Sequence, residues 1–248
     1  MFLEAMICRY CEVRSDFVNA HVIPAGFFRR LSADDPEPLR VVLNDENEYP
    51  RRAPLGVYDQ KLLCTVCEPQ FGSWDHYAQE LLSDLPPGQT IIEDGQIVGF
   101  ELRDHWHYEL LKLFFISLIW RASASTHNFY RRIRLGPYEE KAKQMLDACD
   151  AGSPQEFAVL LGRFIEPGAR ILLDPHEDRC DGVNFCRFYL SGYVAYIKVD
   201  RRPAPDWMTP LLLMPDAPLK IVARSLKQSK ELPLLRSFLA RHRKRASH

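Results

Sequence analysis

One segment determines how the first third of this chain folds: Tyr58-Asp59-Gln60-Lys61-Leu62-Leu63-Cys64-Thr65-Val66-Cys67-Glu68. It contains a Cys-x2-Cys pair, and a second pair, Cys8-Arg9-Tyr10-Cys11, lies near the start of the chain. A Cys-x2-Cys turn lets two thiolates bind one ion, and zinc with four protein ligands is normally a structural site. The two pairs therefore predict one tetrahedral zinc bound by Cys8, Cys11, Cys64 and Cys67.

Four reduced and unrelated thiols are the alternative interpretation. Two pairs at ligand spacing, in a chain without secretory features, favour a metal site over disulfides. Because a closed zinc site is structural, any chemistry must come from other residues nearby. The first candidate is His21, in the segment Ala20-His21-Val22-Ile23-Pro24 between the two cysteine pairs.

Length and composition limit the class of protein. The chain has 248 residues, enough to bury a sizeable core as one large domain or two smaller ones. Its start has no basic segment followed by an apolar one, so we expect no secretory signal. The longest apolar run, 110–120, is interrupted by Lys112 and Ser117 and is shorter than the roughly 20 residues of a membrane span. We expect a soluble cytoplasmic protein with no membrane partner.

The formal net charge of -1 conceals a basic end. Residues 220–248 contain nine Lys or Arg against one acid, Glu231. Such an end could contact phosphates, whose binding is dominated by counterion release, or an acidic surface of the same molecule or of a partner. A solvated helix face with a frayed tail is the plainer alternative.

Hydrophobic periodicity predicts an α+β protein with two parts. Ser73 is a good N-cap for a helix over 73–82, directly after the second cysteine pair, as treble-clef and ββα zinc folds require. Residues 41–43 predict one strand of a hairpin, and a second hairpin is expected from 90–92 and 97–100. This pattern predicts a treble-clef/ββα zinc module over residues 1–88.

The remainder, 89–248, reads as a helical region followed by a small antiparallel β-sheet and a basic C-terminal helix. Helices are predicted at 104–125, 138–151, 154–164 and, at the basic end, 230–244. Short β-branched or aromatic segments predict strands at 170–173, 185–189, 193–199, 211–214 and 220–223.

The motifs of the first third resemble the HNH (His-Me finger, ββα-metal) endonucleases of the type held by two zinc knuckles. The residues that carry the resemblance are the two cysteine pairs, the segment 20–24 and the segment 58–68. It covers about residues 5–83, and nothing transfers beyond them. The resemblance implies a metal-dependent hydrolase of DNA phosphodiester bonds that uses Mg²⁺ or Mn²⁺ in addition to the structural zinc. Protein partners stay unknown.

Three residues fall on positions that matter in the family. His21 falls on the general base, which takes a proton from the attacking water, a role that suits an imidazole. Glu68 follows the last cysteine, where the family places a ligand of the catalytic divalent ion, and a carboxylate is a natural ligand for Mg²⁺ or Mn²⁺. Asp59 falls on the family's Asn, which orients the histidine; a carboxylate there could hold the imidazole or bind the metal.

One position departs from the family pattern. The residue before the histidine, often an acidic metal ligand in the family, is Ala20. The alternative function is therefore a non-catalytic zinc-structured module that binds nucleic acid or protein. In that interpretation His21 is a structural group bonded to a carbonyl, and Glu68 is an acid that favours the start of a helix.

Overall fold

A computed structural model describes residues 7–13, 16–32, 40–41, 51–52, 56–83, 89–166 and 173–233. The fold is mixed α+β, as predicted. The α-helices are α1 (Ala25–Ser32), α2 (Gly72–Ser83), α3 (Tyr108–Ala124) and α4 (Tyr138–Asp147). The strands are β1 (Ala20–His21), β2 (Arg40–Val41), β3 (Arg51–Arg52), β4 (Tyr58–Asp59), β5 (Gln89–Glu93), β6 (Gln96–Leu102), β7 (Val159–Phe164), β8 (His176–Cys180), β9 (Val183–Leu190), β10 (Tyr193–Lys198) and β11 (Leu219–Arg224).

The first third is built from very short strands around the two cysteine pairs. β1 and β4 pair antiparallel, with His21 opposite Tyr58 and Ala20 opposite Asp59. β2 and β3 form a separate antiparallel pair, as the predicted hairpin requires. A turn of 3-10 helix over Glu68–Phe71 follows the second cysteine pair and leads directly into α2. The helix predicted after that pair is therefore confirmed, but it begins at Gly72, so Ser73 lies within its first turn and is not the N-cap.

A larger sheet fills the second part of the described chain. Its strands lie in the order β5-β6-β11-β7-β10-β9-β8. All neighbours pair antiparallel except β11 and β7, which run parallel. The prediction of a small antiparallel sheet is therefore only partly matched, because the sheet has seven strands and one parallel pair.

Helix α3 lies at the centre of the molecule, and every residue from Leu111 to Ala124 is buried. It packs against both α2 and α4, which explains why its apolar residues run nearly all round the helix. One continuous apolar cluster extends from Cys8, through α3, to Ile221 in β11. The proposed domain boundary at 88/89 stays a prediction.

Two predicted elements are wrong. Residues 154–164, predicted as a helix, form a turn and then strand β7, because a short buried run such as Ala-Val-Leu-Leu fits either structure. Residues 211–214 form no strand beyond the single bridge of Leu212 to Leu160, next to a 3-10 turn at Thr209–Leu211. Strand β8 was missed because its sequence is polar. Residues 170–172 and most of the predicted C-terminal helix lie outside the described residues.

Within the described ranges, no helix combines the length and the apolar character needed to cross a membrane.

Candidate metal centre and catalytic site

The four paired cysteines come together at one point. The sulfur atoms of Cys8, Cys11, Cys64 and Cys67 all lie within 4.8 Å of one another, and the Sγ atoms of Cys11 and Cys64 are 3.9 Å apart. A tetrahedral zinc with Zn–S bonds of about 2.3 Å places its sulfur ligands about 3.8 Å apart. The cluster therefore fits, and it could hold a metal ion such as zinc.

Backbone hydrogen bonds shape the cysteine turns. The N–H groups of Cys67 and Glu68 donate to the carbonyl of Cys64, at 3.2 and 3.1 Å, and close the second turn. The N–H of Cys64 donates to Sγ of Cys8 at 3.4 Å, which links the two pairs. Arg9 N–H also donates to the carbonyl of Leu62. Since these bonds hold both turns together, the ligand geometry is already built into the backbone.

His21 is the predicted base, and its side chain is more exposed than the side chains next to it in sequence. Ala20, Val22 and Ile23 are completely buried, whereas His21 is partly exposed. Its ring lies opposite Tyr58, with the ring centroids 5.9 Å apart. The carbonyl of His21 accepts a hydrogen bond of 2.8 Å from Nη1 of Arg121 in α3. The backbone of His21 is thus anchored while its imidazole reaches the surface.

An ion pair that the sequence did not reveal lies behind His21. Arg121 is 1% exposed and donates to both carboxylate oxygens of Asp75, at 2.8 and 2.6 Å. Burial raises the pKa of Asp75, while the charges of Arg121 and of His21 oppose that rise. Asp75 and Arg121 are 46 residues apart, so no local sequence pattern predicts the pair.

Asp59 is buried, and its carboxylate accepts several hydrogen bonds. Oδ1 accepts from the N–H of Lys61 at 2.8 Å. Oδ2 accepts from the hydroxyl of Ser125 and from both the N–H and the hydroxyl of Thr126. Burial alone raises the pKa of Asp59, but these donors outweigh it and lower the pKa below its usual value. The carboxylate therefore ties β4 to the end of α3, and its role in catalysis stays a prediction.

Glu68 is partly exposed at the start of the 3-10 turn, directly after Cys67. In the described part of the chain, the four cysteines are the only group of three or more His, Cys, Asp or Glu residues whose ligand atoms converge. His21, Asp59 and Glu68 therefore do not form a preformed cage for a second ion. A Mg²⁺ or Mn²⁺ ion at Glu68 would depend on oxygen atoms from a substrate and from water.

Comparisons with models of known protein families, with curated proteins and with solved structures give no match for this chain. Support for a function comes from the geometry of its own residues.

Proposed function

We propose that the first third of the chain is an HNH-like, metal-dependent endonuclease that hydrolyses phosphodiester bonds of DNA, with His21 as the general base. The observation that carries the proposal is the partial exposure of His21 between completely buried neighbours. A histidine kept only to fill the core would be buried with them. An imidazole at the surface, on an anchored strand, can accept a proton from water.

The surroundings of His21 favour a fixed orientation. The guanidinium of Arg121 joins the carbonyl of His21 to the carboxylate of Asp75. On the other strand, Asp59 lies opposite Ala20 and is tied to the end of α3. Strands β1 and β4 are thus both fixed to the buried helix α3. A general base gains from such anchoring because proton transfer requires hydrogen-bond distance in the substrate complex.

Glu68 would hold the hydrolytic ion, which when bound supplies charge stabilisation for the phosphodiester. Mg²⁺ is usually bound through one or two carboxylates together with substrate phosphates, rather than by an all-protein cage. One partly exposed carboxylate is therefore compatible with a site that DNA completes. Ala20 supplies no oxygen ligand from its side chain, which is consistent with this small ligand set.

A plasmid nicking assay tests the proposal. Supercoiled DNA is incubated with the wild type, His21→Ala and Glu68→Gln in Mg²⁺ or Mn²⁺, and zinc content is measured for each protein. Because a general base contributes about 10²–10⁴-fold, His21→Ala should lower the rate by at least about 100-fold with zinc retained. His76→Ala is the matched control, since His76 is exposed on α2 and, in the described part of the chain, pairs with Glu80. The control should nick DNA at the wild-type rate.

Equal rates for the wild type and His21→Ala would refute the proposal, since a contaminant would then explain the cleavage. Absence of cleavage with either metal, on single- and double-stranded DNA, would also refute it. In both cases unchanged zinc content would show that the module had folded.

A non-catalytic zinc module is the second candidate, and the hydrogen bonds to Asp59 favour it. A carboxylate that already accepts from Lys61, Ser125 and Thr126 is used to join the module to the rest of the protein. Such a protein would bind DNA without cutting it, through the basic end. Truncation after residue 233 should then abolish salt-dependent DNA binding. This truncation keeps Glu231, which is buried and bonded to Arg187, so the fold should persist.

A further inference from the structure

A pocket of about 430 Å³ lies between α4 and the end of β10, outside the cysteine cluster. Tyr138 and Lys141 of α4 line one side, and Lys198 and Arg201 line another. Its volume falls in the range of small-molecule sites, which is about 300–1,000 Å³. Glu156 and Asp200 also line the pocket, so whether the lining favours an anion depends on how these two acids are paired.

Two lysines are buried in the described part of the chain, and Lys198 is the one that lines the pocket. It is only 3% exposed, and its ammonium donates to the backbone carbonyls of Asp200 and Arg202, at 3.1 and 2.5 Å. No carboxylate in the described residues bonds to it. A buried ammonium that meets only neutral acceptors retains much of its desolvation cost.

Lys112 in α3 is the second buried lysine. Its side chain is completely buried, and its Nζ has no hydrogen-bond partner among the described residues. Burial lowers the pKa of Lys112 to about 7; Glu156 opposes the shift and the charge of Lys198 adds to it. Glu156 and Lys198 both line the pocket, so Lys112 lies close behind its wall.

Tyr108, one turn before Lys112, adds a further unpaired polar group. Its hydroxyl is buried and lacks a partner in the described part of the chain. Burial raises the pKa of Tyr108 to about 12, with further contributions from Glu109 and Glu156. Buried polar atoms normally have partners, so two such atoms on one helix face call for an explanation.

The acids around the pocket are already paired. Glu156 forms an ion pair with Lys141 and accepts from the N–H of Ser153. Asp200 is paired with Arg202. Lys198 and Arg201 are therefore the lining cations that no carboxylate pairs with in the described residues.

The backbone at the pocket is also unusual. Phe157 lines it and has a φ of 44°, a left-handed conformation that is rare for a bulky residue. Its ring packs edge-on against Tyr138, with the centroids 6.3 Å apart. Such conformations cluster at ligand sites, where the surrounding structure holds them in place. The two rings supply apolar surface to the pocket.

We propose that this pocket binds a small organic anion, with its carboxylate or phosphate against Lys198 and Arg201 and its apolar body against Tyr138 and Phe157. Lys112, behind the wall, adds positive charge when it is protonated, and a bound anion favours that form. The site is separate from His21, and its occupancy does not depend on nuclease activity.

Titration calorimetry of the full chain tests the proposal, with inorganic phosphate, citrate and AMP as probes. At least one probe should bind saturably. We expect Lys198→Met to lower the affinity for that probe at least tenfold. Lys227→Met alters an exposed lysine outside the pocket and should leave the affinity unchanged. Citrate binding without AMP or phosphate binding would identify a carboxylate ligand, and the reverse would identify a phosphate ligand.

Lys112→Met keeps the test decisive if Lys198→Met fails to fold. This variant removes a buried amine that has no hydrogen bond in the described chain, and it changes the side-chain volume little. We therefore expect a higher thermal midpoint and a lower affinity for the probe. No saturable binding of any probe to the wild type would overturn the proposal. So would equal affinities in the wild type and Lys112→Met.

Discussion

Different interactions stabilise the seven-stranded sheet and the first third of the chain, which contains the four paired cysteines and is called the module below. In the module, β1 and β4 have two residues each, and four sulfur atoms lie within 4.8 Å of one another. In the sheet, strands of five to eight residues share long ladders and cover α3. Two-residue strands contribute few ladder bonds, so we expect the module to depend on a metal held by its four cysteines as well as on the apolar cluster that it shares with α3.

Polar groups are also used differently in the two regions. The buried charges of the module have partners, as the pair of Arg121 with Asp75 and the bonds to Asp59 show. Beside the sheet, Nζ of Lys112 has no hydrogen-bond partner in the described chain and lies 6.0 Å from the ring centroid of Tyr108. The paired charges hold elements of the fold together, whereas Lys112 lies behind the pocket for which we propose an anion.

Loss of the metal ligands should have the largest effect. We expect Cys64→Ser to remove the bound metal, measured as zinc per chain, and to lower the thermal midpoint strongly. Structural zinc contributes about 10–16 kcal/mol of apparent binding free energy in small zinc peptides, so several kcal/mol are at stake here. Cys149→Ser is the matched control, because Cys149 is an exposed thiol outside the cluster. A Cys64→Ser protein that keeps its zinc would contradict the predicted dependence.

The ion pair between the regions should come next. Arg121→Met leaves the carboxylate of Asp75 buried without its guanidinium, and we expect a loss of about 3–5 kcal/mol in urea unfolding. Adding Asp75→Asn removes the stranded charge and should restore part of that loss. If the double variant is no more stable than Arg121→Met, the pair contributes through packing alone.

Local patterns predicted the parts of the fold that depend on neighbours in sequence. The cysteine pairs, the helix after them, α3 and the hairpin of β5 and β6 are all found. Each has a local signal: ligand spacing, helical periodicity, or a long apolar run. Strand β7 contradicts the predicted helix because its buried apolar run has no distinct period.

The candidate site was less predictable because its partners are far apart in the chain. His21 meets Arg121, and Asp59 meets Ser125, only after α3 has packed against the module. Spacing can suggest a ligand set for one ion, as it did for the cysteines. It cannot show that a carboxylate such as Asp59 is already occupied.

Asp59→Asn should have an intermediate effect. The amide cannot accept all the hydrogen bonds that the carboxylate accepts, so we expect a loss of about 1–3 kcal/mol at pH 7 by urea unfolding. Because the pKa of Asp59 is lowered in the folded state, its contribution is present above the unfolded pKa of about 3.9. It is lost as the pH falls through the folded pKa, so the difference from the wild type should narrow below about pH 4.

Two conditions isolate Asp59 in that experiment. Zinc per chain, measured for both proteins at each pH, shows whether metal loss contributes equally to the wild type and to the variant. Asp104→Asn, which alters an exposed acid, is the control and should be close to the wild type at every pH. A difference that stays constant down to pH 3 would mean that the charge of Asp59 is not what stabilises the fold.

We expect His21→Ala to have the smallest effect on stability. His176→Ala, measured in the same assay, shows what the loss of a structural histidine costs. His21 is partly exposed in the module, so the change should cost less than about 1 kcal/mol. His176, in β8, is also partly exposed, but burial lowers its pKa and its Nδ1 lies 3.3 Å from the carbonyl of Asp174. His176→Ala should therefore cost more in the same unfolding assay. If His21→Ala proves the costlier change, His21 is a structural residue and the nuclease proposal loses its base.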